Sequence, residues 1–218
     1  MMRSAKVTLL LAVAMCVFAG TAVSASALTK EGHFYKKGVK LAEGVREKVT
    51  SKGGVSKLES TVKLECQKLT DKGWVENPAG GGNGKDEAEE ITFTECIVVG
   101  ASACKVKSVG SAPAGTIIVE KIPTEVVKLA SLAFGDLFVG PSAEETFVEL
   151  EITGAECAAK GKYKVKGNVV GKANGNKLEF TNPAQEGSTL KLGSNAATLI
   201  VTDEQNYVSD GSGVEAGA

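Results

Sequence analysis

Thr146-Phe147-Val148-Glu149-Leu150-Glu151-Ile152-Thr153 decides the fold class. Thr146, Val148, Leu150 and Ile152 occupy one side of a period-two repeat, and Phe147, Glu149 and Glu151 the other. A helix would scatter these side chains around its axis. A strand sends successive side chains to opposite faces, so this segment is expected to be a strand with one buried and one solvated face. Val55 to Cys66 carries the same signature, with Leu58, Ser60, Val62 and Leu64 on one face and Lys57, Glu59, Thr61, Lys63 and Glu65 on the other. It is expected to form one long half-buried strand.

Working outward, the chain is a succession of short β-like runs broken by Gly, Asn and Ser. Gly32 to Lys36 and Val39 to Ala42 flank Lys37-Gly38, where Gly supplies the positive φ of a tight hairpin. Further strands are expected over Arg46 to Thr50, Glu90 to Val99, Cys104 to Val109, Thr116 to Ile122, Lys162 to Val170, Lys177 to Thr181, Thr189 to Leu192 and Ala197 to Thr202. One stretch is ambiguous: Thr124 suits a helix cap, Val126, Leu129, Ala130 and Ala133 have helical spacing, and Gly135 suits a stop, yet a strand fits Thr124 to Phe134 equally. The expectation is an all-β fold, a sandwich or barrel of antiparallel strands with an N-terminal β-hairpin.

The first residues read as a leader: Arg3 and Lys6, then apolar Val7 to Gly20, then Ala25-Ser26-Ala27. The expected organisation is a signal peptide over 1–27, a hairpin extension over 28–54, a disulfide-stabilised β domain over 55–208 and a flexible tail over 209–218. Export removes Cys16 and leaves Cys66, Cys96, Cys104 and Cys157, an even set that implies two disulfides. Three pairings are possible. The short separation favours Cys96 with Cys104, leaving Cys66 with Cys157. Zinc is disfavoured, because the closest cysteines are not at Cys-x2-4-Cys spacing and His33 is the only histidine.

Gly32-His33-Phe34-Tyr35-Lys36-Lys37-Gly38-Val39-Lys40-Leu41 with Glu43-Gly44, Thr92-Phe93-Thr94-Glu95-Cys96, Cys104, Ala114-Gly115-Thr116-Ile117, Cys157 and Lys166-Gly167-Asn168-Val169-Val170-Gly171 resemble a family of uncharacterised secreted β-rich proteins from soil actinobacteria. The resemblance spans most of the exported chain. It implies an exported, disulfide-linked β protein and supplies no activity.

Composition excludes more than it selects. The chain of 218 residues has a net charge of −1, which is unsuited to nucleic acid, and 5% aromatic residues, few for stacking bases or sugars. A lone His33 in a hairpin and the lack of a Gly-x-Ser-x-Gly elbow argue against triad chemistry. Gly80-Gly81-Gly82-Asn83-Gly84-Lys85-Asp86 departs from a phosphate loop at Ala79 and Asp86 and reads as a hairpin tip. The acidic run Asp86, Glu87, Glu89, Glu90 and the trio Asp203, Asn206, Asp210 match no calcium loop, and the run reads as a solvated strand edge. Phe134, Leu137, Phe138 and Val139 are expected in the core, and Trp74 either plugs the core or marks an interaction site.

The resulting expectation is a secreted, non-enzymatic β scaffold of the extracellular space or cell envelope, structural or adhesive. It has no catalytic residues, cofactor or metal, an extracellular or cell-wall partner, no nucleic acid, and no stable membrane insertion once the leader is cut. The alternatives are a ligand-binding module for carbohydrate or peptide and, behind it, a carboxylate-dependent hydrolase.

Overall fold

The computed structural model describes residues 28–110, 112–180, 186–208 and 210–218, and the expected leader lies outside them. The strands, in order, are β1 (His33–Lys36), β2 (Val39–Lys40), β3 (Arg46–Gly53), β4 (Ser56–Glu59), β5 (Leu64–Cys66), β6 (Lys68–Glu76), β7 (Lys85–Thr94), β8 (Ile97–Val98), β9 (Lys105–Ser108) and β10 (Ile117–Lys128). They continue with β11 (Phe134–Val139), β12 (Thr146–Thr153), β13 (Gly161–Lys166), β14 (Asn168–Asn174), β15 (Lys177–Phe180), β16 (Lys191–Leu192), β17 (Asn195–Ala196), β18 (Thr198–Val208) and β19 (Val214–Gly217). No helix forms among the described residues, so the fold is all-β.

Eight strands close on themselves in the order β3-β6-β7-β10-β11-β14-β15-β18, with β18 returning to β3, and every neighbouring pair is antiparallel. A barrel of this size has an interior that side chains fill or that holds one small ligand. On β3 and β6 its outer wall is polar: Lys48, Thr50 and Lys52 on β3 and Lys68, Thr70 and Lys72 on β6 are exposed. Arg46–Glu76 (2.8 Å) and Lys72–Glu90 (3.1 Å) pair across strands there.

Each end of the barrel is covered. A sheet in the order β17-β16-β13-β12-β9 lays Val106, Leu150, Ile152, Val165 and Leu192 against luminal Leu69, Ile117, Val119, Phe138 and Phe180, forming one large apolar core. β12 has the expected alternation, with Leu150 and Ile152 inward. At the other end, β2-β1-β19 brings Phe34 and Val214 against Val49, Val75 and Val126. Lys37 (φ 52°) and Gly38 (φ 73°) make the β1–β2 turn with positive φ at both centres, as the expected tight hairpin requires. Asn77, at the end of β6, ties this cap down. Its Oδ1 accepts from Phe34 N (2.8 Å), and its Nδ2 donates to Phe34 O (3.0 Å) and Leu41 O (3.1 Å).

Several expectations change. Val55 to Cys66 is a hairpin, β4 against β5 with Leu58 opposite Leu64, and its turn over residues 60–63 is even in length, so the period-two pattern runs through it unbroken. Thr124 to Phe134 is not helical: β10 runs to Lys128 and β11 starts at Phe134, each satisfied by a neighbour on both sides. The proposed boundaries at 54 and 209 also do not separate units. β3 is a barrel strand paired to β6 and β18, and β19 pairs with β1 over His33–Lys36.

The disulfides are Cys66–Cys96 and Cys104–Cys157, which corrects the expected Cys96–Cys104 and Cys66–Cys157 pairing. Strand register explains it. β5 pairs with β8 through Leu64–Val98 and Glu65–Ile97, which carries Cys66 to Cys96. β9 pairs with β12 through Lys105–Thr153, which sets Cys104 beside the chain that leads to Cys157. Each bridge fastens a peripheral pair of strands, and two disulfides are consistent with an oxidising, extracellular compartment.

Candidate functional site

The barrel interior is layered. On each of five strands an apolar luminal residue next to the five-stranded sheet is followed, two positions on, by a polar luminal residue, or is replaced by glycine. Leu69 leads to Asp71 on β6, Ala88 to Asp86 on β7, Ile122 to Thr124 on β10, Phe138 to Asp136 on β11, and Gly53 to Ser51 on β3. Register joins the polar set in two groups, Ser51 opposite Asp71 and Asn206, and Asp86 opposite Thr124, and Ser51, Asp71, Asp86, Asp136 and Asn206 line one small space. Beyond the polar layer, Val49, Val75, Val126 and Phe34 resume the apolar lining.

Three carboxyl groups thus line the lumen, with Asp136 buried and Asp71 and Asp86 half-buried. Burial pushes Asp71 up to about 7, with the Ser51 hydroxyl pulling part of the way back. Burial, followed by the Asp136 and Asp71 carboxyls, pushes Asp86 well above the usual carboxylate range, and burial with Asp71 raises Asp136. Ser51 Oγ lies within reach of Asp71 Oδ2 (3.4 Å) and of Asn206 Oδ1. A hydroxyl has one proton to give, so when Ser51 donates to Asn206 it can only accept from Asp71, which then bonds as the protonated acid. The remaining oxygens are unmatched: Asp71 Oδ1, Asp86 Oδ1, Asp136 Oδ1 and Thr124 Oγ1 are buried without a partner. Each such orphan costs about 1–3 kcal/mol. A space of about 30 Å³ lies against this layer, lined also by Phe34, Lys177 and Glu215.

The second feature lies one layer away. Between the barrel and the five-stranded sheet is a cavity of about 110 Å³, almost wholly apolar, walled by Phe93, Phe138, Phe147, Phe180, Leu150 and Val201. Phe138 borders both spaces. Gly171 on β14 makes room for the Phe180 ring, since a Cβ there would sit 2.7 Å from its Cζ. Phe147, Val148 and Leu199 are only half-buried, so the chamber reaches solvent between the barrel rim and the sheet.

The residues singled out from the sequence do not assemble into a site. Trp74 is half-buried on the outer wall, with the Arg46 guanidinium 3.7 Å above its ring, so it neither plugs the core nor stands bare. His33 lies in β1 with its Nδ1 unpartnered, and burial, then Lys40, lowers its pKa. Gly80, Gly81 and Gly82 form the β6–β7 connection with open space around them. The acidic run is split by alternation: Glu87 and Glu89 lie out of phase with Asp86, which enters the lumen instead of the solvated edge that the sequence suggested. Asn206 also enters the lumen, whereas Asp210 is held low by Ser212 and Lys36 outside it, and the Asp203 side chain lies outside the described residues. The apolar run is divided as well, with Phe138 luminal and Leu137 packed outside against Val127 and Val170. Asp71 and Asp136 drew no attention in the sequence, although each falls in phase with apolar neighbours, Asp71 with Leu69 and Val75, and Asp136 with Phe134 and Phe138.

Among the described residues, no group of His, Cys, Asp and Glu has the arrangement to hold a metal ion. Comparison with protein-family models, curated proteins and solved structures found no match for the chain.

Proposed function

We propose that the protein is an exported, non-enzymatic binding protein whose barrel takes up a small apolar ligand. The apolar chamber of about 110 Å³ beneath Phe138 and Phe180 carries this reading. A cavity of that size forgoes about 2–3 kcal/mol of packing at roughly 24 cal/mol per Å³, which a purely structural or adhesive scaffold has no reason to concede. The walls favour a hydrocarbon over a carbohydrate or peptide, because they offer almost no hydrogen-bonding group. Two disulfides and the leader-like start support export.

The test is calorimetric titration of the exported chain with benzene and with n-hexanol, repeated on Val148→Trp, which fills the half-exposed wall. Saturable one-to-one binding that is lost in the variant supports the proposal. No saturable binding of either probe overturns it.

A further inference from the structure

The polar layer gives the ligand a head. Among the described residues, six buried side-chain nitrogens and oxygens have no partner, and four of them, Asp71 Oδ1, Asp86 Oδ1, Asp136 Oδ1 and Thr124 Oγ1, belong to the luminal face of the adjoining strands β6, β7, β10 and β11. Thr124 is the independent witness. It is no acid, it is 5% exposed, and its place opposite Asp86 turns its hydroxyl to the same interior. All four are acceptors once the carboxyls ionise, and Thr124 still has a lone pair to offer. The missing complement is therefore a compact group rich in donors.

We infer that the ligand of the chamber is a primary alkylamine, its ammonium seated among Asp71, Asp86 and Asp136, which line the small space, and its hydrocarbon tail in the apolar chamber. This rests on the proposed binding function and specifies its ligand class. An ammonium brings three donors and a charge in a volume close to that of a water molecule, which suits the space of about 30 Å³. A metal ion does not fit the arrangement. The spacing suits an amphiphile: Leu69 and Phe138, which wall the apolar chamber, lie two residues along their strands from Asp71 and Asp136, about 7 Å away, so a tail attached to the nitrogen meets apolar wall within a few carbons. Other charged groups at this end are Glu87 on β7, Lys177 on β15 and Glu215 on β19, and Glu89 also acts on Asp71. Binding exchanges a carboxyl proton for the ammonium: R-NH3⁺ and Asp-COOH give R-NH3⁺ paired with Asp-COO⁻, and H⁺ leaves to solvent. Asp71 and Asp136, both pushed up to about 7 by burial, carry that proton at pH 6.

The experiment compares n-hexylamine with n-hexanol on the exported chain by calorimetry at pH 6 and pH 8, with proton release followed by an indicator dye. Hexylamine is expected to bind about tenfold or more tighter, with protons released at pH 6, and Asp136→Asn is expected to bring its affinity down to the hexanol value. Asp71→Asn serves as a second probe of the same head site. Equal binding of the two probes, or a preference that survives both substitutions, overturns the ammonium site and leaves the apolar chamber standing. Failure of both probes overturns chamber and head site together.

Discussion

Stability should fall as the pH rises from 5 to 8, and Asp71 should account for a large part of the fall. Its folded pKa of about 7 lies above the ordinary 3.8, so the folded chain holds a proton that the unfolded chain releases. Stability of this origin is fully present below the unfolded value and is lost as pH climbs through the folded one. At about 1.4 kcal/mol per unit, easing off as the folded value is reached, Asp71 alone removes roughly 2 kcal/mol between pH 5 and 7, and Asp86 and Asp136 act in the same direction. His33 acts oppositely, since its lowered pKa makes the folded chain shed its proton more readily, but that contribution is complete just above its ordinary value of 6.5. The assay is urea unfolding at pH 5, 6, 7 and 8, followed by circular dichroism and Trp74 fluorescence. The midpoint should drop steadily, and Asp71→Asn should flatten the slope and exceed the native chain in stability at pH 8. An Asp71→Asn chain with the native slope would refute the picture of a proton-bearing lumen.

Asn77→Ala removes three hydrogen bonds that fix the N-terminal cap, so it should lose about 2–4 kcal/mol in urea unfolding, and the β1–β2 hairpin should exchange its amides faster. Cys104→Ser with Cys157→Ser opens a span of 53 residues and should lose about 4 kcal/mol, while peptide mapping of the unreduced native chain should recover Cys66 with Cys96 and Cys104 with Cys157. Arg46→Ala uncovers Trp74 and breaks the Glu76 pair on an exposed wall; it should shift the fluorescence maximum to the red while changing stability by no more than about 1 kcal/mol.

The sequence made the strand class legible because period-two alternation is local: Thr146 to Thr153 announces its faces without reference to any other segment, and β12 has those bounds. Whatever depends on partners was hidden. Cysteine pairing followed β5–β8 and β9–β12 registers, which no spacing encodes, and so the nearest-neighbour choice of Cys96 with Cys104 failed. β6 escaped notice because Asp71, Gly73 and the lysines dilute its hydrophobicity, although Leu69 and Val75 keep its phase.

The site was missed for a related reason, and that reason has a use. A charged residue is ordinarily read as solvated, so Asp86 was assigned to an acidic surface run, and Asp136 disappeared among phenylalanines. Phase contradicts that reading: Asp71, Asp86 and Asp136 each share the inward parity of Leu69, Ala88 and Phe138. An aspartate in phase with the buried side of a strand imposes a burial cost that most folds avoid. Three of them, brought to line one small space by strands whose order the chain alone does not disclose, are costly by-products of closing a barrel, since apolar residues at those positions would have given a more stable lumen. Their place beside an apolar chamber is the physical argument behind the proposal that the interior of this barrel takes up a ligand.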